Sequence, residues 1–187
     1  RLLRDRGGQT VTGAAVTGVT RTNGIWQVST ATDQWSAPVV VNAAGAWADT
    51  VARMAGLAPI GLTPMRRSAV LLNAPEGHRI DDWPLFASAS ESWYAKPDAG
   101  RLLVSPADED PVDPHDAWPD DMVIAEGLHR FEQAVTIPIT RPTHTWAGLR
   151  SFTNDRTPAV GFDPGTTGFF WLAGQGGYGV QTAPALA

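Results

Sequence analysis

Residues 9–41 alternate in character. TVTGAAVTGVTRT sets small and β-branched residues at every second position, which predicts strand. Asn23-Gly24 is a hairpin turn signal. IWQVST then returns, with Ile25, Gln27 and Ser29 opposite Trp26, Val28 and Thr30. Val39-Val40-Val41 predicts a buried strand. The period changes in NAAGAWADTVARMAG. Here Trp47, Val51, Ala52 and Ala55 fall at helical spacing, Asp49 sits in the first turn and Gly56 stands as a C-terminal stop. The turn before this helix is built from Ala43, Ala44 and Gly45, small enough for a ligand to approach the backbone.

Strand patterns resume over residues 63–105 in TPMRRSAVLL, SWYAK and RLLVS, the last two joined by the turn Pro97-Asp98-Ala99-Gly100. SPADEDPVDPHDAWPDD predicts a long surface excursion. A helix is expected to begin near Pro119, with Asp120 and Asp121 in its first turn and Ile124, Leu128, Phe131 and Val135 as its apolar stripe. IPITRPTHTWAGLRS, AVGF and GFFWLA predict further strands, followed by a glycine-rich loop and the start of a helix. LLRDRGGQ resembles the tail of a helix, and VQTAPALA a helix just begun. Both ends predict a piece of a longer chain.

Composition narrows the class. The chain has 187 residues, 43% of them hydrophobic, enough for one sizeable core or a small domain with part of another. A net charge of −5 without any basic run argues against nucleic acid as a partner. No apolar run reaches transmembrane length, and no signal peptide is recognisable. Cysteine is absent, so no disulfide, Cys-based metal site or Cys nucleophile is expected.

Several residues carry candidate chemistry. Gly174, Gly176 and Gly179 satisfy the G-x-G-x-x-G spacing between a strand and a helix. The second strand and the acidic residue of a dinucleotide unit do not follow. The loop is therefore an opening Rossmann unit, a second cofactor loop aiming a helix N-terminus at an electron-rich group, or a plain turn. Arg150 at a strand end is a surface residue or a bidentate clamp for a carboxylate. Arg66 and Arg67 must face opposite ways in a strand, so one can enter a pocket while the other meets solvent. Tyr94 is a packing residue or offers its hydroxyl to a ligand. The four histidines show no metal-ligand spacing. Asp108, Glu109, Asp110, Asp113 and Asp116 lack the EF-hand pattern and are expected to be a solvated loop.

Three motifs, VVVNAAGAWADTVARMAGL, TWAGLRSFTNDRTPAVGFDP and GFFWLAGQGGYGVQTAPA, resemble in content and order the C-terminal part of the FAD-dependent glycine/D-amino-acid oxidase family. PMRRSAV, DDWP, SWYAKPDAG and HTWAGLRSF are most similar to its bacterial D-arginine dehydrogenase type. The resemblance spans essentially the whole chain. It implies an α+β fold: a mixed, largely antiparallel substrate-domain sheet with flanking helices, plus pieces of a discontinuous, Rossmann-like FAD-binding domain. Residues 1–60 would be part of the FAD-binding domain, 61–145 the substrate-binding domain, and 146–187 a returning FAD-domain segment with the flavin loop.

The same resemblance implies roles. Arg150 matches the arginine that grips the substrate α-carboxylate, and Arg67 a second carboxylate-binding arginine, with Arg66 in reserve. Tyr94 matches a pocket tyrosine, and Gly177 a loop residue whose carbonyl meets the substrate amine. Leu85 and Ala87 match side-chain pocket positions. Val16 and Ala44 match FAD-contacting backbone, and Gly176, Tyr178, Gly179, Val180 and Gln181 the flavin loop. No residue is implied as an acid–base catalyst, and no metal. FAD would be non-covalent, and its ADP-binding segment would lie N-terminal to these residues. The implied reaction is oxidative deamination of a D-amino acid or glycine-like amine to an imino acid and then a 2-oxo acid, by a dehydrogenase or oxidase. The alternative is a catalytically inert fragment or carboxylate-binding module without FAD. A third possibility, a β-rich binding module, would keep Arg150 and the glycine loop far apart. The family context implies a bacterial cytoplasmic protein, or one peripheral to a membrane, with apolar surface available for association.

Overall fold

The alternating N-terminal stretch becomes strand only where a partner is available. The structure, a computed structural model, describes residues 2–186. A short helix α1 (Leu2–Asp5) is closed by the N–H groups of Gly7 and Gly8, which donate to the carbonyls of Arg4 and Leu3. The strand expected from Thr10 starts at Gly18, because residues 10–16 have no partner strand among the described residues and are nearly all exposed; Thr17 already donates to the Ser29 carbonyl. β1 (Gly18–Thr22), β2 (Ile25–Ser29) and β3 (Gln34–Ala37) form an antiparallel sheet in that order. Asn23 and Gly24 take left-handed φ values of 53° and 83° in the β1–β2 turn, as a primed hairpin requires. The alternation in β2 holds, with Trp26 fully buried.

β4 (Val40–Asn42) pairs in parallel with β12 (Phe169–Ala173), which pairs antiparallel with β11 (Ala159–Phe162). One face of this sheet buries Phe169, Trp171 and Ala173. The other shows Val41, Val160 and Phe162 to solvent. The expected burial of residues 39–41 therefore fails: Val39 and Val41 are 42% and 52% exposed, because no described element packs over that part of the face. A 3-10 turn (Gly45–Trp47) leads into α2 (Ala48–Met54). The turn rotates Trp47 off the helix stripe; Ala52 is buried and Val51 and Ala55 pack beside it as expected, with Ala48 and Asp49 completing the buried face.

Asp49 is more than a first-turn acid. Its carboxylate accepts from the backbone N–H of Ile60, Gly61 and Leu62 at 3.0, 3.1 and 2.9 Å. It thereby ties α2 to the crossover leading into the next sheet.

That sheet holds β5 (Thr63–Asn73), β6 (Phe86–Ala87), β7 (Tyr94–Asp98), β8 (Arg101–Ser105), β9 (Asp110–Pro111) and β10 (His144–Phe152). The order is β10-β5-β8-β7-β6, all antiparallel, with β9 also on β5. The expected change of domain at residue 146 falls inside β10, whose whole length pairs with β5. α3 (Asp121–Ala134) covers one face. Asp120 caps it, accepting from the N–H of Met122 and Val123. The predicted stripe is the one that packs: Ile124 and Phe131 are buried with Val70, Leu72, Ala95, Leu102 and Val104, and Leu128 and Val135 pack beside them. A second buried cluster joins Val19 and Trp26 to Ala48, Ala52, Phe169, Trp171 and Ala173.

The fold is thus α+β with mixed, largely antiparallel sheets. Among the described residues no helix is long and apolar enough to cross a membrane.

Candidate functional site

Strand register decides which side chains share the face opposite α3. Arg67 pairs with Gly148, and Arg150 lies two positions along the same strand as Gly148. Side chains two apart share a face, so Arg67 and Arg150 do. Leu71 pairs with Leu103, and Tyr94 with both Ser105 and Ala87, which puts Tyr94 and Ala87 on that face too. Arg66 faces the other way, opposite Leu149. A Cβ at Gly148 would meet nothing within 4 Å, so the space beside Arg67 is open.

The glycine loop closes one end of this face. A Cβ built on Gly177 would stand 3.1 Å from Nη1 of Arg150. A Cβ on Gly176 would overlap the ring of Phe152, and Gly176 takes φ +52°. Both positions bring bare backbone against side chains of β10, and Gly176 also occupies a conformation that suits glycine. The N–H of Gly176 donates to the Ser151 carbonyl at 3.0 Å, fixing the loop to that strand. α4 (Gly179–Leu186) starts at once, and the first backbone N–H to find a helical acceptor is that of Thr182, bonded to Tyr178. The N–H groups of Gly179, Val180 and Gln181 thus lie in the unsatisfied first turn of the helix. Tyr178 and Val180 are exposed.

The arginines differ in what they already hold. Arg66 pairs with Asp110 at 2.7 Å and lies 3.6 Å from Asp108, with its Nε buried and without a hydrogen bond. Arg67 donates from Nε to the Asp108 carbonyl at 2.7 Å and from Nη2 to Glu109 Oε1 at 2.9 Å. Arg156 donates to Glu109 Oε2 at 2.8 Å and stacks on the Phe152 ring with its guanidinium carbon 4.6 Å from the centroid. The Arg156 hydrogen bond, helped by the charges of Arg156, Arg67 and Arg150, holds the Glu109 carboxyl below the usual carboxylate range, although burial pushes the other way. Arg150 is half-buried and, among the described residues, its guanidinium makes no hydrogen bond or ion pair.

The expectation of a solvated acidic loop is therefore corrected at its start. The side chain of Asp108 is 4% exposed and receives the N–H and hydroxyl of Ser68, because β9 pairs with β5 and turns this stretch onto the sheet.

A cavity of about 550 Å³ adjoins the glycine loop. Ala44, Gly45 and Trp47 form one wall, Gln175 and Gly176 another, and residues 147–149 of β10 a third. Its walls are largely bare backbone and small side chains, which suits a flat ring system. His115 and Asp116 also border it, positions not expected from their loop sequence. Val16 lies elsewhere, in a depression of about 300 Å³ with Val28 and Trp35. Leu85 is well exposed next to β6.

The FAD dependent oxidoreductase (DAO) family profile matches residues 1–187. The chain belongs to this family. It is 30% identical over 164 residues to bovine FAD-dependent oxidoreductase domain-containing protein 1, covering 79% of this chain and 34% of that protein. The fold matches L-proline dehydrogenase from P. horikoshii with a TM-score of 0.79 at 24% identity, over 97% of this chain and 49% of that one. It matches glycine oxidase from Geobacillus kaustophilus with a TM-score of 0.78 at 24% identity, over 96% and 47%. The chain thus spans about a third of that curated relative and about half of those solved structures. FAD is the cofactor of this family, and the small-residue cavity with the adjoining helix start fits such a group. Similarity centred on the D-arginine dehydrogenase type is not what these comparisons bring out; they bring out the family as a whole.

Proposed function

We propose that the protein containing this chain oxidises small amines that carry a carboxylate, D-amino acids or glycine-like amines, to imino acids that hydrolyse to 2-oxo acids. The observation that carries this reading is Arg150: a half-buried guanidinium without a partner among the described residues, set against the bare backbone of Gly177. An unpaired cation so placed is stabilised by an anionic ligand. Arg67, whose Nη1 has no protein acceptor among the described residues, shares the face and adds a second contact. Two guanidiniums fix a carboxylate and so orient the neighbouring Cα–H. Tyr94 and Ala87 line the route taken by the substrate side chain, and the carbonyl of Gly177 accepts from the amine.

FAD, when bound, supplies the acceptor for the hydride. Ala44, Gly176 and the N–H groups of Gly179, Val180 and Gln181 would hold its ring, the helix start favouring electron-rich atoms. Val16 would contact it farther away. The reaction is assigned to a dehydrogenase in preference to an oxidase on motif similarity to the D-arginine dehydrogenase type. Names among the relatives support the amine class: glycine oxidase, L-proline dehydrogenase and mouse mitochondrial sarcosine dehydrogenase. The exposed sheet face of Val41, Val160 and Phe162 would receive the rest of the longer protein.

The test is Arg150→Ala in the flavin-loaded protein. A loss of about 3 kcal/mol in kcat/KM for a D-amino acid is expected, for a desolvated charged contact. Unchanged turnover would remove Arg150 from the site.

A further inference from the structure

Glu109 holds two guanidiniums with one carboxylate. Oε1 takes Arg67 at 2.9 Å, and Oε2 takes Arg156 at 2.8 Å. Both partners are themselves fixed. Arg67 is 13% exposed and donates to the Asp108 carbonyl as well. Arg156 stands at φ +63°, a strained conformation for a residue with a side chain, and lies on the ring of Phe152, the same ring that fills the space under Gly176. The Glu109 side chain, 32% exposed, is thus held from both sides next to the face that carries Arg67 and Arg150. Its geometry is that of a carboxylate ligand bridging two arginines.

We propose that Glu109 is a specificity-determining residue: an internal carboxylate that occupies a second anion seat, leaving Arg150 and one edge of Arg67 for a substrate with a single carboxylate. The inference rests on Arg150 being the substrate-carboxylate clamp. The balance of charges agrees with it. Arg66, Arg67 and Arg156 each meet an acid among Asp108, Glu109 and Asp110, and Arg150 does not. A dicarboxylate entering beside Arg150 would bring its second anion towards Glu109 and meet repulsion, with no free guanidinium to offset it. The lowered protonation point of Glu109 keeps that repulsion in force throughout the neutral range.

The experiment titrates propionate and succinate into the flavin-loaded protein, reads the perturbation of the flavin absorption spectrum, and compares wild type with Glu109→Gln and Glu109→Asp. Wild type is expected to bind propionate at least as tightly as succinate. Glu109→Gln should gain about tenfold for succinate relative to propionate, the scale of a released charge-assisted contact. Glu109→Asp keeps the charge and should stay within about threefold of wild type. A structural role alone would weaken both ligands together. Equal loss for both in Glu109→Gln, or an equal succinate gain in Glu109→Asp, overturns the inference. So does wild type that prefers succinate by about tenfold, a measurement that needs no variant to fold. If wild type binds neither ligand and Arg150→Ala changes nothing, the carboxylate-clamp reading falls and takes this one with it. Propionate binding that depends on Arg150, without a succinate gain in Glu109→Gln, sinks the inference about Glu109 alone.

Discussion

Gly177 stands against Arg150, so that a Cβ on the glycine would lie 3.1 Å from Nη1 of the guanidinium. Two residues 27 positions apart in the numbering meet because the loop after β12 folds back on the end of β10, held by the Gly176–Ser151 hydrogen bond. A β-rich module with these two features far apart is thereby ruled out.

Gly177→Ala should act on the site more than on the fold. Its φ lies outside the left-handed region, and the atom it would crowd is the mobile end of a side chain. Unfolding free energy should change by about 0.5 kcal/mol or less, while KM for the amine substrate rises severalfold. Chemical denaturation and steady-state kinetics of the flavin-loaded variant separate the two.

Gly176→Ala should do the opposite. The added methyl overlaps the Phe152 ring, and φ +52° is unfavourable for alanine. A loss of about 2–4 kcal/mol is expected from overpacking and strain together. A midpoint of denaturation equal to wild type would show that the ring moves aside freely.

Asp49→Ala strips three backbone N–H groups of their shared acceptor at the start of β5. The expected cost is about 1–3 kcal/mol, the scale of leaving part-buried donors unpaired. Asp49→Asn retains one acceptor oxygen and should recover part of it. Denaturation of the two variants side by side gives the ordering.

The Glu109 contacts predict a pH dependence of stability. The carboxyl is held below its ordinary value of 4.5 when folded. The unfolded chain therefore binds its proton first as pH falls, and the stabilisation is complete above about pH 4.5 and is lost on descending through the folded value. Thermal melts from pH 7 to pH 3 should show that fall, and Glu109→Gln should flatten it. A variant slope identical to wild type would mean that other carboxylates carry the whole acid response.

Local signals were legible where the chemistry is local. Asn23-Gly24 marks its hairpin, and the stripe from Ile124 to Val135 is the face that packs. Positions whose surroundings come from distant segments were not. Val41 has the composition of a buried strand but lies on an uncovered sheet face, and Trp47 is turned outward by a 3-10 turn. The Arg67–Glu109 pair spans 42 residues and depends on β9 docking on β5. Nothing in the spacing of either residue announces it. Arg150 was singled out by family likeness, whereas its lack of a partner among the described residues is a property of the folded surroundings.

The parallel pairing of β4 with β12 has a consequence for the order of assembly. Val40 meets Phe169, and the indole N–H of Trp26 donates to the Thr167 carbonyl across 141 residues of sequence. The hairpins β1–β2 and β7–β8 close small loops and can form early, whereas the core around Trp26 and Phe169 must wait for residues 167–173. During that interval β4 offers an unpaired edge to other chains. Pulsed hydrogen exchange should find the β7–β8 amides protected before those of β4.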